Sequence, residues 1–262
     1  DAPVGESFAA WVGLDDPVIE IAITPNRADC LGVRGVARDL AAAGYGTLKP
    51  LDTSAHEGSF DSPVTWRLDL DGAEHLAPLI TGIAFRGVTN GPSPDWMARR
   101  LNAIGQRPIS ALVDITNYVM FDLGRPLHAY DIDKIRGSEL IVRQADGGEP
   151  FAALNEKTYE MEAGMITIGD AEGVDDLAGV MGGERTGVSD DTTGMFLEIA
   201  VFDPISVATT GRKLNLNSDA RFRFERGLDS ESPVWAAGHI ARIVTEICGG
   251  EASVPVTMGP GV

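Results

Sequence analysis

The feature that most constrains the fold is a rhythm of short apolar runs cut by glycine and aspartate. ELIVRQA, GMITIGD, GVDDLAGVMG and GMFLEIAVFDP each hold only enough residues for a short strand before a turn residue intervenes. VTWRLDLD and PLITGIAFRGVT add two more strands beyond Ser62, the first by strict alternation. Helical patterns sit among them: SPDWMARRLNAIG reads as a capped helix ending at Gly105, and VDITNYVMFDLG has helical apolar spacing despite its β-branched residues. SPVWAAGHIARIVTEICGG is an amphipathic helix stopped by glycines. Together these predict an α+β fold with more strand than helix after Ser62.

Ahead of that point, VIEIAIT (18–24) alternates as a strand, and TPNRADC follows as a turn and helix start. Asp29 is expected to cap a helix from about Cys30 to Ala43, which Gly44 stops. Residues 46–63 carry Pro, Ser, Gly and Asp without an apolar period and read as a linker, so a domain boundary is expected near Ser62. The division is therefore a partial strand-and-helix domain with linker (1–62), a central domain (63–228), and a C-terminal helix and linker (229–262).

A chain of 262 residues with 44% hydrophobic content can bury a sizeable core in one or two domains. No apolar run approaches the roughly 20 residues that span a bilayer, and DAPVGESFAA lacks the basic and apolar regions of a signal peptide, so the cytoplasm is expected. Cys30 and Cys248 lie far apart without ligand spacing, which predicts two reduced, buried thiols and no metal site. A net charge of -18 argues against a chain whose main task is gripping a phosphate backbone; any such contact is local. The candidate is GRKLNLNSDARFRFERG, for which a salt-bridged face is the plain alternative.

The chemistry concentrates in RPISALVDITNYVMFDLGRPLHAYD. Arg107 precedes a proline, Thr116 and Asn117 interrupt an apolar stretch, and His128 follows a Gly-Arg-Pro turn, a combination that suggests a pocket wall. The glycines of AGVMGGERTG match neither phosphate-loop spacing, so an ATP site is not expected, and no Gly-x-Ser-x-Gly elbow accompanies His128. Glu198 lies in the apolar run MFLEIAVF, where alternation leaves open whether it faces solvent or a pocket. Gly179, Gly182 and Gly183 either shape a turn or let a ligand approach the backbone.

TPNRADCLGVRGVARDLAA, RPISALVDITNYVMFDLGRPLHAYD, LAGVMGGERTGV and LEIAVFDPISVATTGRKLNLNSDARFRFERGLD together resemble the bacterial phenylalanyl-tRNA synthetase beta-subunit family, four motifs in order over about Val18 to Gly249. The resemblance implies a layered β/β/α editing domain of mixed and antiparallel sheets with flanking helices, joined to part of a small α/β domain. It also implies that the chain is a piece of a longer subunit with an N-terminal OB-type module and further domains. The family's parent enzyme charges tRNA with phenylalanine using ATP and magnesium, as a heterotetramer of two alpha and two beta subunits. No cofactor is implied for this part, whose expected activity is hydrolysis of the ester of phenylalanine tRNA mischarged with tyrosine. A structural and tRNA-docking module without hydrolysis is the alternative.

By the same resemblance, Arg107, Thr116, Asn117 and His128 stand at the ester end of the pocket, and Ala178, Gly179, Gly182, Glu198 and Ala200 bind the amino acid. Glu198 would accept a hydrogen bond from the tyrosine hydroxyl, aided by the backbone N–H of Gly179. The physical need is plain: phenylalanine enters any cavity that admits tyrosine, so size cannot discriminate and a polar acceptor must. A site built to bond a hydroxyl rejects the analogue lacking it by about 10⁴ to 10⁵.

Overall fold

The computed structural model of the chain describes residues 2–15 and 17–261. The N-terminal segment holds two helices, α1 (Phe8–Trp11) and α2 (Val33–Ala42). After the linker come β1 (Thr65–Asp69), β2 (Leu79–Arg86), α3 (Asp95–Ala103) and α4 (Ala111–Leu123). A run of strands follows: β3 (His128–Asp131), β4 (Glu139–Gln144), β5 (Pro150–Ala153), β6 (Lys157–Glu160), β7 (Ile166–Gly169), β8 (Val174–Leu177), β9 (Met181–Gly182) and β10 (Gly194–Val201). The chain closes with α5 (Pro204–Lys213), α6 (Asp219–Phe224), α7 (Ser232–Cys248), β11 (Glu251–Ala252) and β12 (Val256–Met258).

The strands build two main sheets. One is mixed, ordered β1-β4-β7-β8-β9, with β1 and β4 parallel and the other pairs antiparallel. The other is antiparallel, ordered β11-β2-β10-β3, with β12 also paired to β2. A separate hairpin joins β5 to β6.

Period-two alternation then makes layers. From the antiparallel sheet, Ile80, Ala84 and Phe196 face Trp66, Leu140 and Ile168 of the mixed sheet in one core. The intervening residues Ile83, Leu197 and Ile199 turn the other way, onto Leu112 and Ile115 of α4 and Ile240 of α7. The result is sheet on sheet on helix: the α+β class is the one the sequence patterns predict, and the layering is the one the family resemblance implies. Residues 229–262 belong to it closely, since α7 covers the antiparallel sheet and β11 and β12 hydrogen-bond to β2.

Three expectations are corrected. VIEIAIT is not a strand: Val18, Ile19 and Ile21 are exposed and no strand pairs with them among the described residues. Alternation supplies a strand's faces, but its backbone groups need a partner. The first long helix begins at Val33 with Gly32 at its N-cap, and Asp29 sits in a 3-10 turn (Ala28–Cys30) where it binds Arg27 and Arg38 instead of capping. The hairpin β5–β6, the strand β3 and the short β11 and β12 were not foreseen.

The arginine-rich segment takes its plainer reading at two positions. Arg221 bonds Leu216 O, Asn217 and Glu225, while Arg223 bonds Leu31 O and Asp219 O, and both are buried. Cys30 and Cys248 are free thiols, also buried.

Candidate functional site

The helix α4 ends at Gly124, whose φ of 72° is a left-handed conformation suited to glycine, and the chain re-enters the antiparallel sheet at His128. There β3 pairs antiparallel with β10, so that His128 lies directly opposite Glu198. Both side chains project toward the mixed sheet, where they meet Asp176 of β8 and the glycine-rich turn between β8 and β9. A cavity of about 70 Å³ forms at this junction, lined by His128, Asp176, Gly179, Gly182, Glu198 and Phe224 among others. It is far smaller than clefts of roughly 300–1,000 Å³ that hold drug-sized ligands.

Glu198 answers the question left by its sequence context: it is 5% exposed and faces inward. Its Oε2 accepts a hydrogen bond from the Tyr130 phenol at 2.9 Å. Burial lifts the Glu198 carboxyl to about 7, opposed by the Tyr130 hydrogen bond and the charge of Arg125. Asp176 is raised well above the ordinary carboxylate range, first by burial and then by the charges of Glu198 and Asp175. Two carboxyl groups facing one small cavity thus disfavour each other's ionisation.

His128 is held by its neighbours rather than by hydrogen bonds. Its ring stands edge-on to Tyr130 with centroids 4.5 Å apart, and its other face covers Gly182. A Cβ on Gly182 would lie 2.1 Å from His128 Cε1, so only glycine leaves room for the imidazole. The Nε2 atom is buried without a partner and lies 3.8 Å from Asp176 Oδ2, too long for a hydrogen bond. Burial lowers the imidazole to about 4, so His128 is neutral at pH 7 and its contact with Asp176 is not an ion pair.

Gly179 turns the chain between β8 and β9 with φ of 70°, and a side chain there would press on Phe202, Val207 and Phe224. Of the residues singled out in the sequence, His128, Gly179, Gly182 and Glu198 therefore meet at one cavity. The other five do not line it. Ala178 and Ala200 are buried in the core between the sheets. Thr116 and Asn117 lie half-buried on α4, in the helical layer, where the Thr116 hydroxyl donates back to Val113 O at 2.7 Å. Arg107 is exposed in the loop between α3 and α4.

Three residues of the site escaped the sequence reading: Asp176, Tyr130 and Arg125. The doublet Asp175-Asp176 held a usable signal, because alternation in a short strand sends the two carboxylates to opposite faces. Asp175 indeed pairs with Arg185 at 2.6 Å while Asp176 lines the cavity.

One group of metal-ligating side chains gathers among the described residues: Asp29, Cys30 and Asp39. Both carboxylates already pair with Arg27, and a thiol is a poor partner for a hard cation, so the group does not fit magnesium. No helix among the described residues is long and apolar enough to cross a membrane.

Comparison with known proteins places this geometry in context. The B3/4 domain family matches residues 76–249. The phenylalanine–tRNA ligase beta subunit of Brucella abortus is 52% identical over 262 residues, covering 99% of this chain and 32% of the relative. The beta subunits of Gluconobacter oxydans and Zymomonas mobilis are 51% and 50% identical, covering 96% and 99% of this chain and 30% and 32% of their own lengths. The chain thus spans about a third of the length of the curated relatives it matches.

Proposed function

The chain belongs to the B3/4 domain family, and from that premise we propose that it is the part of a phenylalanine–tRNA ligase beta subunit that hydrolyses the ester of phenylalanine tRNA mischarged with tyrosine. The observation that carries this reading is the Glu198 carboxyl: buried, on the wall of a cavity, and already accepting a hydrogen bond from a phenol. A second phenol, that of a tyrosyl ester, has the same chemistry to offer. Phenylalanine leaves unmet the acceptor capacity that Tyr130 does not fill, and an unmet buried acceptor costs about 1–3 kcal/mol when neutral and more when charged. Gly179 supports the reading as a cavity residue whose backbone N–H is available to the same hydroxyl.

Hydrolysis requires that a water oxygen attack the ester carbonyl carbon, that the carbon–ribose oxygen bond break, and that the ribose oxygen take up a proton. A neutral His128 is in the state that accepts a proton from the attacking water. Asp176, whose carboxyl burial raises well above the ordinary carboxylate range, is the nearby group to supply one to the departing ribose oxygen. Gly182 acts by leaving His128 its place. Arg107, Thr116 and Asn117 remain in the proposal as residues that meet the RNA end of the ester, and Ala178 and Ala200 as small residues that back the pocket.

In the proposed parent enzyme, an alpha subunit attaches phenylalanine with ATP and magnesium in the cytoplasm, within a heterotetramer of two alpha and two beta subunits. The test is deacylation of tyrosyl-tRNA by the intact enzyme and by its Glu198→Ala variant. Loss of one buried hydrogen bond predicts a rate about 10- to 100-fold lower, with phenylalanine charging preserved. An unchanged deacylation rate removes Glu198 from the role, and no deacylation by the intact enzyme leaves the docking-module alternative.

A further inference from the structure

The motif TPNRADCLGVRG (24–35) belongs to neither main sheet and lines none of the small cavity, yet it is braced from within. Arg27 reaches across it, donating through Nε to Asp29 at 3.0 Å and through Nη2 to Cys30 Sγ at 2.8 Å and Asp39 at 2.5 Å. A side chain on Gly35 would overlap Asp29 O and stand 2.8 Å from Cys30 Cα, so α2 packs directly on the turn before it. Cys30 and Leu31 are buried. Groups packed this closely transmit a displacement rather than absorb it.

The tip of the motif, Leu31 and Gly32, touches two elements that help to enclose the cavity. The first is the turn from α4 into β3, which leads to Pro126, Leu127 and His128 on the cavity wall. A Cβ on Gly32 would overlap Gly124 N and lie 2.8 Å from Leu123 C and 2.9 Å from Asp122 O. Backbone meets backbone there, with no flexible side chain to give way.

The second element is α6, whose Ala220 and Phe224, four residues apart on one helical face, also line the cavity. Arg223 of the same helix is 5% exposed and does not line the cavity; its Nε donates to Leu31 O at 3.1 Å. Its Nη1 donates to Asp219 O at 2.9 Å, and its guanidinium carbon lies 4.8 Å from the centre of the Phe121 ring on α4. A buried guanidinium is costly without acceptors, so Leu31 O and α6 are held together from both sides of the bond.

We propose that Leu31 and Gly32 form a knuckle that positions these two walls, so that the spacing between the His128 turn and α6, and with it the turnover of a tyrosyl ester, is set from the N-terminal segment. Leu31 and Gly32 are positioning residues, since neither lines the cavity. The use of the spacing in turnover rests on the hydrolytic reading above; the setting of the walls does not. The segment that the sequence sets apart as a separate domain is, through this contact, part of the frame of the site.

The experiment combines hydrogen–deuterium exchange, read by mass spectrometry, with tyrosyl-tRNA deacylation, on the intact enzyme and three variants. Gly32→Ala drives a methyl group into the Gly124 turn, Arg223→Met leaves Leu31 O without its donor, and Arg223→Lys keeps an amine to donate to it. In Gly32→Ala and Arg223→Met, amides of residues 124–131 and 219–225 are expected to exchange at least about fivefold faster, with 139–144 and 166–169 of the mixed sheet unchanged. Deacylation kcat/KM is expected to fall about tenfold or more in the same two variants and to stay within about threefold of the parent in Arg223→Lys. The Arg223 pair decides the matter if Gly32→Ala does not fold.

Wall exchange equal to the parent's in both variants overturns the proposal. Faster exchange in every segment alike also overturns it, because that is a loss of overall stability. Loosened walls with deacylation at the parental rate overturn it too, since the spacing then has no bearing on turnover. Loosened walls in an enzyme whose parent shows no deacylation support the positioning of the walls and overturn the hydrolytic reading instead.

Discussion

The two faces of β10 differ by a single residue of offset and do opposite things. Met195, Leu197 and Ile199 face the helices in a wholly apolar layer, whereas Phe196, Glu198 and Ala200 face the mixed sheet and place a carboxyl group in the core. One face holds the molecule together, and the other sacrifices part of that hold to build a polar cavity. Stability and chemistry are thus separated across one strand, by the pleat alone.

The comparison breaks most readily on the apolar face. Leu197→Ala is expected to cost about 2–5 kcal/mol, read as a lower midpoint in urea unfolding, with ester hydrolysis by the remaining folded protein near normal. A variant that stays as stable as the parent yet loses hydrolysis would show that the faces are not independent. On the other face, Gly182→Ala forces the His128 ring aside; overpacking of this kind costs about 1–3 kcal/mol, and hydrolysis should fall by more than the lost folded fraction explains. Hydrolysis that merely tracks the folded fraction removes His128 from the chemistry. The same reasoning qualifies Ala200: a larger residue there meets the core between the sheets before it meets any ligand.

The smallest effect is a pH slope. Glu198 titrates at about 7 in the folded chain against an ordinary 4.5, so between those values the folded state keeps a proton that the unfolded state releases. The unfolded chain binds fewer protons, and this contribution to stability is therefore full below pH 4.5 and lost as pH rises toward 7. Asp175, raised to about 6 chiefly by burial, acts in the same direction. His128, lowered to about 4 from 6.5, acts in the opposite one. Glu198→Gln removes one contributor: unfolding free energies at pH 5 and 7.5 should differ less favourably for the low pH than they do in the parent. An identical difference in both proteins contradicts the inward, desolvated placement of the carboxyl.

Many of the strands and helices were legible because alternation and glycine stops are local signals, whereas their layering came only from the family resemblance. VTWRLDLD and ELIVRQA read as strands for the reason they are strands, burial that alternates along the chain, whereas GMITIGD forms a strand buried on both faces. VIEIAIT shows the limit, since its pattern is as regular yet no strand pairs with it among the described residues. At the site, Glu198 and His128 stood out as polar residues in apolar or turn-bounded settings. Tyr130 and Arg125 did not, because a tyrosine in a strand and an arginine before a proline are unremarkable until tertiary contacts bury them. Thr116 and Asn117 attracted notice for interrupting an apolar run, and the helix sets them half-buried along its flank, outside the cavity that His128 and Glu198 line.

The hydrogen bond from Tyr130 to Glu198 has a consequence for selectivity. The chain carries its own phenol on the acceptor meant for another, so the carboxyl is never wholly without a partner, and an incoming hydroxyl competes for what Tyr130 leaves. On the proposed reading, recognition becomes a comparison between a tethered phenol and a visiting one, and the margin against phenylalanine is set by the acceptor sites that Tyr130 leaves open rather than by the whole carboxyl.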